Sequence, residues 1–422
     1  MIVSNKDINK WIFDFLMVFL FFSGVVEHYS IWHMLILIGA AVLIIANSSL
    51  RKLDLPTFVI LFLGISLFII SSVQVLDFSI ISSNLRSSLY SISTLVIMVL
   101  LVSNDQEAIR TRIEGRIKLF NVFYILNLLV LYVQEKGTGQ FIKASWLAEN
   151  GYYPDQCAGL FGFNATNVLA LYSIFVLSLN LFYAYSRMKN ETKKKFFIFY
   201  TLASQGVMVI MSQYNDNVGY YIELVVFAVF YALTVFFKEP DYRSKILHII
   251  KYLVLFILII LVAFSIPTLR EFIEDTVQKR LVRGFSYKSI GAYGSNERLA
   301  IVDYAIHKKS TWLFGLGIGA AKWVESDVFG FAHFGISSMG SYILLSGLWF
   351  YLVYVIGYSY GCYKIIFSDH KNRFAVYLVL VGLVIFLSNY TALFNNARIT
   401  FLLMLIIATA KMTVDTKITK ET

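Results

Sequence analysis

The feature that most constrains this chain is the recurrence of apolar runs on the scale of a bilayer. They fall at about 11–26, 31–47, 55–75, 85–103, 117–134, 166–185, 196–212, 219–237, 246–266, 338–360, 374–393 and 397–411. A hydrocarbon core about 30 Å thick takes roughly 20 helical residues, and backbone N–H and C=O groups inside it must pair within their own segment. Each run is therefore expected to be a helix. The fold class that follows is all-α: a polytopic integral membrane protein with about 12 transmembrane helices, residues 1–422 forming a single membrane domain. The first, second and last runs are short, so ten or eleven spans stay open. Composition agrees, because 58% of the 422 residues are hydrophobic and 15% charged, against about 45–50% and 25% in soluble domains.

Basic residues set the orientation, since cytoplasmic loops accumulate Lys and Arg. With the N-terminus inside, the inner segments carry 22 of the 36 basic residues, chiefly around Lys6, Arg51, Arg110 to Lys118, Arg187 to Lys195, Lys238 to Lys245, Lys364 to Arg373 and Lys411 to Lys420. The short outer loops carry 4, namely Arg86, Lys136, Lys143 and Arg398. Both termini are expected in the cytoplasm and the protein in a plasma membrane, the first run being retained as a span because no small-residue cleavage site follows it. The net charge of +10 is then a topology signal, and no nucleic-acid partner is implied.

Two outer segments have room for folded structure. One is 135–165; the other is 267–337, a large external loop between spans 9 and 10, holding 9 basic residues. Loops of this length are usually functional or disordered. The larger begins with LREFIEDTVQKRLVRGF, Leu269–Phe285, whose apolar residues recur at helical spacing and predict an amphipathic helix. Its basic cluster has two readings. Lys279, Arg280 and Arg283 either complement the helix dipole, or Arg280 and Arg283, three apart on one face, form a bidentate fork for a diphosphate. A second short helix is expected over Asn296–Lys309, with Arg298 projecting from its start either as a solvated charge or as a ligand. Glycines 315, 317 and 319 in LFGLGIGAAKW suit close backbone packing. His333 is either structural or a general base, since an unperturbed imidazole titrates near neutral pH.

Cys157 and Cys362 fall on opposite sides of the bilayer in this arrangement, so no intramolecular disulfide is expected. The chain has no CxxC, HExxH or DxD; no metal site and no cofactor are expected.

The order of Arg298 in SNERLAIVDYA, then FGLGIG, then a polar loop with His333, then a span carrying LLSGLWF resembles the C-terminal half of the O-antigen and capsular polysaccharide polymerase family and its O-antigen ligase relatives. GLFGFNATNVLALY, Gly159–Tyr172, is similar to that family's glycine-asparagine lead-in to a span. The family's serine-arginine pair at the outer end of a middle span is replaced here by MSQYNDN, and His333 stands 14 positions before Gly347, farther than in relatives. The resemblance implies a glycosyltransferase that moves a growing glycan from polyprenyl diphosphate onto a lipid-linked repeat unit at the outer leaflet, without a metal. Catalytic roles fall to His333 and Arg298, diphosphate binding to Arg280, Arg283, Arg86 and Arg398, and sugar stacking to Tyr287, Tyr293 and Tyr304. Implied partners are polyprenyl-diphosphate-linked oligosaccharides, the lipid bilayer, and the flippase and chain-length regulator of the same pathway. An O-antigen-ligase-type transferase and, from another class, a twelve-span secondary transporter are the alternatives.

Metal independence is open to test. Activity is expected to survive chelation of divalent ions; loss on chelation, reversed by magnesium or manganese, would reveal a carboxylate site, with Glu325 and Asp327 the first residues to examine.

Overall fold

The computed structural model describes residues 5–26, 29–47, 53–73, 78–135, 157–162, 165–215, 217–238, 265–274, 302, 305–307, 309–315, 338–367 and 396–415. Among these, 90% are helical and none lies in a strand. In chain order the helices are α1 (Asn5–Phe22), α2 (Tyr29–Asn47), α3 (Leu55–Val73), α4 (Phe78–Gly115), α5 (Ile117–Val133), α6 (Thr166–Arg187), α7 (Glu191–Tyr214), α8 (Val218–Lys238), α9 (Pro267–Glu274), α10 (Ser338–Phe367) and α11 (Ala397–Asp415). Ten of them overlie ten of the twelve apolar runs. The runs at 246–266 and 374–393 lie outside the described residues.

By length and composition, two described stretches can cross a membrane, Thr166–Tyr185 and Glu191–Tyr214; a third is obtained if Ala108–Gly115 and Ile117–Val133, bent by 50°, count as one span. Other apolar stretches, such as Ile31–Ala46 and Leu55–Ile70, are shorter. The described helices therefore do not by themselves make twelve spans. Two boundaries also differ from expectation. The segment 104–116, expected to be an inner loop, continues α4 to Gly115 and breaks only at Arg116. Arg86, expected at the mouth of an outer loop, lies within α4, which starts eight residues earlier at Phe78, roughly 12 Å of helix rise.

Helices apolar on all sides belong in the interior, and α6 and α11 occupy it. Residues Val168 to Leu177 of α6 and Ile399 to Ile407 of α11 are buried almost throughout. The two pack on each other, and α11 also packs on α4 and α10. Around them α3 lies on α10, α2 on α4, and α5, α7 and α8 gather on α6. The outward faces are apolar as well: Ile45 is 82% exposed, Phe196 71% and Phe199 69%. Water would penalise such a surface; lipid would not.

Among the described residues the ion pairs between helices gather at one end. Asp14 of α1 pairs with Arg112 and with Arg116, the latter at 2.6 Å. Glu114 pairs with Arg187 at the end of α6, 2.8 Å away. Nearby in sequence register, Asp54 before α3 accepts from Lys364 at 2.5 Å and Tyr360 at 2.6 Å, both from α10. Burial alone would lift the Asp54 carboxyl, but hydrogen bonds from Lys364, Thr57 and Tyr360 outweigh it and hold it at about 2. Every residue of these clusters comes from a segment that the sequence assigns to the inner side or its margin. We refer to this as the charged end. The opposite ends of α1, α5 and α7 and the starts of α6, α8 and α11 meet around uncharged amides, the amide end.

Cys157 and Cys362 form no disulfide and are buried, one near each end, so neither can report sidedness by surface labelling. Added cysteines can. Val26→Cys, at the amide end of α1, is expected to react with an impermeant maleimide on intact spheroplasts, and Lys189→Cys, at the charged end between α6 and α7, only after permeabilisation. The reverse pattern would invert the orientation.

Candidate functional site

The amide end is organised around the six residues Cys157–Gly162, CAGLFG. Their backbone is held by four side chains from three parts of the chain. Gln134 Oε1 accepts from the Gly159 N–H at 2.9 Å and Asn127 Oδ1 from the Leu160 N–H at 2.6 Å. The Asn215 amide donates to the Cys157 carbonyl at 3.0 Å, and Arg398 Nη1 to the Phe161 carbonyl at 2.8 Å. A loop buried among helices must have its polar backbone paired in this way. Gly162 has φ +83° and lies against α1, where a Cβ on it would stand 2.7 Å from the Gly24 carbonyl oxygen. The Phe161 ring enters an aromatic cluster with Phe123 and Tyr172, centroids 5.4 and 5.2 Å away.

Below this segment a file of buried polar groups runs between α5, α6, α7 and α8. Tyr220 donates to Gln205 Oε1 at 2.7 Å, and Gln205 donates to Tyr124 at 3.2 Å. Farther toward the charged end, Asn121 and Asn180 bond each other reciprocally at 2.8 Å. One buried group does not join: Glu223 of α8 is 0% exposed and neither carboxylate oxygen has a hydrogen-bond partner among the described residues. At the amide end, Asn127 Nδ2, Asn215 Oδ1, Ser212 Oγ and Glu135 Oε1 are likewise buried without a partner among the described residues. Burial alone pushes the Glu135 carboxyl up to about 7.

A second junction ties the large loop to the bundle. Helix α10 is interrupted at Gly347, with φ +87° and ψ 162°. The Leu348 N–H freed by the break donates to the Trp312 carbonyl at 2.8 Å, and a Cβ on Gly347 would stand 2.4 Å from the Leu313 carbonyl oxygen. Trp312 Nε1 in turn donates to the Ala305 and Ile306 carbonyls at 3.2 and 3.0 Å. Ala305–His307 is helical and Lys309–Thr311 forms a 3₁₀ turn, within the expected helix of 296–309 and just after it. The expected amphipathic helix of 269–285 is described as α9 over Pro267–Glu274, with an Arg270–Glu274 pair at 2.8 Å.

Of the six residues expected at the site, Arg398 is described in full: it is 5% exposed and clamps Phe161. Arg86 is placed within α4. His333, Arg298, Arg280 and Arg283 lie outside the described residues, as do Tyr287, Tyr293 and Tyr304. Sequence reasoning missed Asn127, Gln134, Glu135 and Asn215. The signal for the first two was present, since amides seven apart in an apolar run share one helix face. Among the described residues no cluster of His, Cys, Asp or Glu could hold a metal ion. An apolar cavity of about 70 Å³ lies between α3, α4 and α10, toward the charged end, lined by Ile60, Val96 and Tyr354 among others; Lys364 at its margin is paired with Asp54. No protein-family model and no curated protein matches the chain.

Gly347→Ala tests the junction. The strained φ costs about 1–3 kcal/mol, and the added methyl meets the Leu313 carbonyl. A clear fall in thermal unfolding midpoint is expected in detergent, together with faster tryptic cleavage at Lys308 or Lys309. An unchanged melt and digest would show that the loop does not dock there.

Proposed function

We propose that this chain is a membrane-embedded polysaccharide polymerase, a twelve-span protein with both termini in the cytoplasm and its amide end facing outward. It transfers a growing glycan from polyprenyl diphosphate to a lipid-linked repeat unit at the outer leaflet. The observation that carries this reading is the meeting of separate sequence motifs: the start of FGLGIG docks on the glycine of LLSGLWF, and GLFG lies beneath Arg398 at the head of the last helix. A site assembled from distant segments needs such contacts, and a resemblance resting only on motif order does not require them.

The chemistry asks for two things. The acceptor hydroxyl must lose its proton as its oxygen bonds the anomeric carbon, and the anomeric C–O bond to diphosphate must break with both electrons leaving on the phosphate. Guanidinium groups stabilise that departing charge through paired N–H donors, the role proposed for Arg298 with Arg280 and Arg283, Arg86 and Arg398 being further cations of that side. His333 is the proton acceptor that the resemblance suggests.

Purified protein given lipid-linked repeat units, with no ion gradient, is expected to produce longer lipid-linked oligomers. Arg298→Lys keeps the charge but loses the planar fork and should lose most of the activity. His333→Ala should lower turnover on the order of 10²–10⁴-fold while donor still binds. Absence of lengthening by the unaltered protein would overturn the reading, and transfer to an acceptor other than a repeat unit would favour the ligase.

Glu223 favours a second reading, secondary transport. Ionisable groups inside membrane bundles mark ion and proton pathways, and this carboxyl sits beside a file of buried hydroxyls and amides. In that case solute uptake into vesicles would require an ion gradient and fail in Glu223→Gln.

A further inference from the structure

The cavity between α3, α4 and α10 is a cleft with one polar end. Its walls run from Thr57 to Ile65 on α3, from Ile92 to Val102 on α4 and from Phe350 to Lys364 on α10. The α4 wall is Ile, Leu and Val throughout. Thr57, Tyr360 and Lys364 stand at the charged end, and Lys364 is the one charged residue lining the cleft among the described residues. Helix α3 packs along α10 and barely on α4, and Ile65 on the wall is 46% exposed. The cleft therefore opens sideways, onto the apolar outer surface that carries Phe58 and Phe62. A glycine helps keep it empty: outside its own helix, no atom stands within 4 Å of where a Cβ on Gly361 would sit.

Its dimensions are those of a lipid chain. The α4 wall rises roughly 15 Å and the α10 wall roughly 20 Å, against about 15 Å for one leaflet of a hydrocarbon core ~30 Å thick. Its polar end adds a head-group match. The Lys364 ammonium has three donors, of which one goes to Asp54 Oδ1 at 2.5 Å, while Tyr360 donates to Asp54 Oδ2 at 2.6 Å. Both charged side chains are partly exposed, Lys364 41% and Asp54 32%. The mouth thus presents a cation and an anion side by side, the complement of a head group that carries a phosphate and an ammonium.

We propose that this cleft holds one acyl chain of a glycerophospholipid with an ethanolamine head, its phosphate meeting Lys364 and its ammonium meeting Asp54. The inference needs a bilayer around the chain but not the polymerase reading, and either can fail without the other.

The test uses the full-length protein in nanodiscs containing phosphatidylethanolamine with a photoreactive diazirine on one acyl chain, followed by digestion and mass spectrometry, with unfolding midpoints recorded for each variant. Wild type is expected to be labelled at Val96 and Val99, which line the cleft, and at the exposed Phe58 and Phe62. Gly361→Leu, whose side chain fills the cleft, should lose label at the two valines on the order of tenfold and keep it at the two phenylalanines. Gly206→Leu, at an exposed glycine of α7 with equally open space around it, should label as wild type does. Diacylglycerol with the same photoreactive chain has neither phosphate nor ammonium. Losing a hydrogen bond to a charged group, worth about 1.5–3 kcal/mol, lowers occupancy on the order of tenfold or more, so this lipid should label the valines far less, and Lys364→Met should erase the preference. Equal labelling of the valines in wild type and Gly361→Leu, or by the two lipids in wild type, would overturn the proposal. So would label confined to Phe58 and Phe62 in wild type, the cleft then being covered by another part of the chain.

Discussion

The contact between the Arg398 guanidinium and the Phe161 carbonyl joins residues 237 positions apart, and the amide end is arranged around it. Phe161 closes a single 3₁₀ turn, Gly159–Phe161, buried among helices. Leaving a buried carbonyl unpaired costs about 1–3 kcal/mol, so a donor has to arrive from another element. Arg398 supplies it from the first turn of α11, the helix most enclosed by the bundle together with α6. One hydrogen bond thus fixes the last described helix against the lead-in to α6, and Gly24 and Gly162 let α1 approach the same point.

The rest of the molecule follows from sorting polar groups by what surrounds them. Acids and bases pair at the charged end, where Asp14, Glu114 and Asp54 are partly exposed. Within the bundle most buried polar groups are hydroxyls and amides, some bonded to one another as Asn121 is to Asn180, while the Glu223 carboxylate has no hydrogen-bond partner among the described residues; many of the faces turned outward are Ile, Leu, Val and Phe. Apolar outward faces over an apolar core are what a hydrocarbon solvent would tolerate and water would penalise. The break at Gly347 obeys the same rule, since the Leu348 N–H it exposes is taken up by Trp312.

Much of this was legible in the sequence. The apolar runs located ten of the helices, because apolar periodicity and length carry that information directly, although α4 starts 7 residues before its run and ends 12 after it. The basic residues foretold which ends would come together, and Asp54 with Lys364 and Glu114 with Arg187 are pairs that such sorting requires. Boundaries were less legible. Residues 104–115 look like a loop because Asn104, Asp105, Gln106 and Glu107 interrupt the apolar pattern, yet all but a few of the following residues propagate a helix and α4 runs on. The clamp was not legible either: Arg398 reads as a surface cation ready for phosphate, and only three-dimensional packing commits it to a carbonyl.

The claim on which the account turns is that residues 157–162 are a fixed platform held by side chains. Hydrogen–deuterium exchange of the Gly159 and Leu160 amides, in nanodiscs, measures it directly by comparing the wild type with Arg398→Met, which keeps the apolar stem and removes the donor. The account predicts strong protection in wild type and a loss of at least tenfold in the variant, with amides in the middle of α7 unchanged. Rapid exchange of Gly159 and Leu160 in the wild type, or equal protection in both proteins, would contradict it.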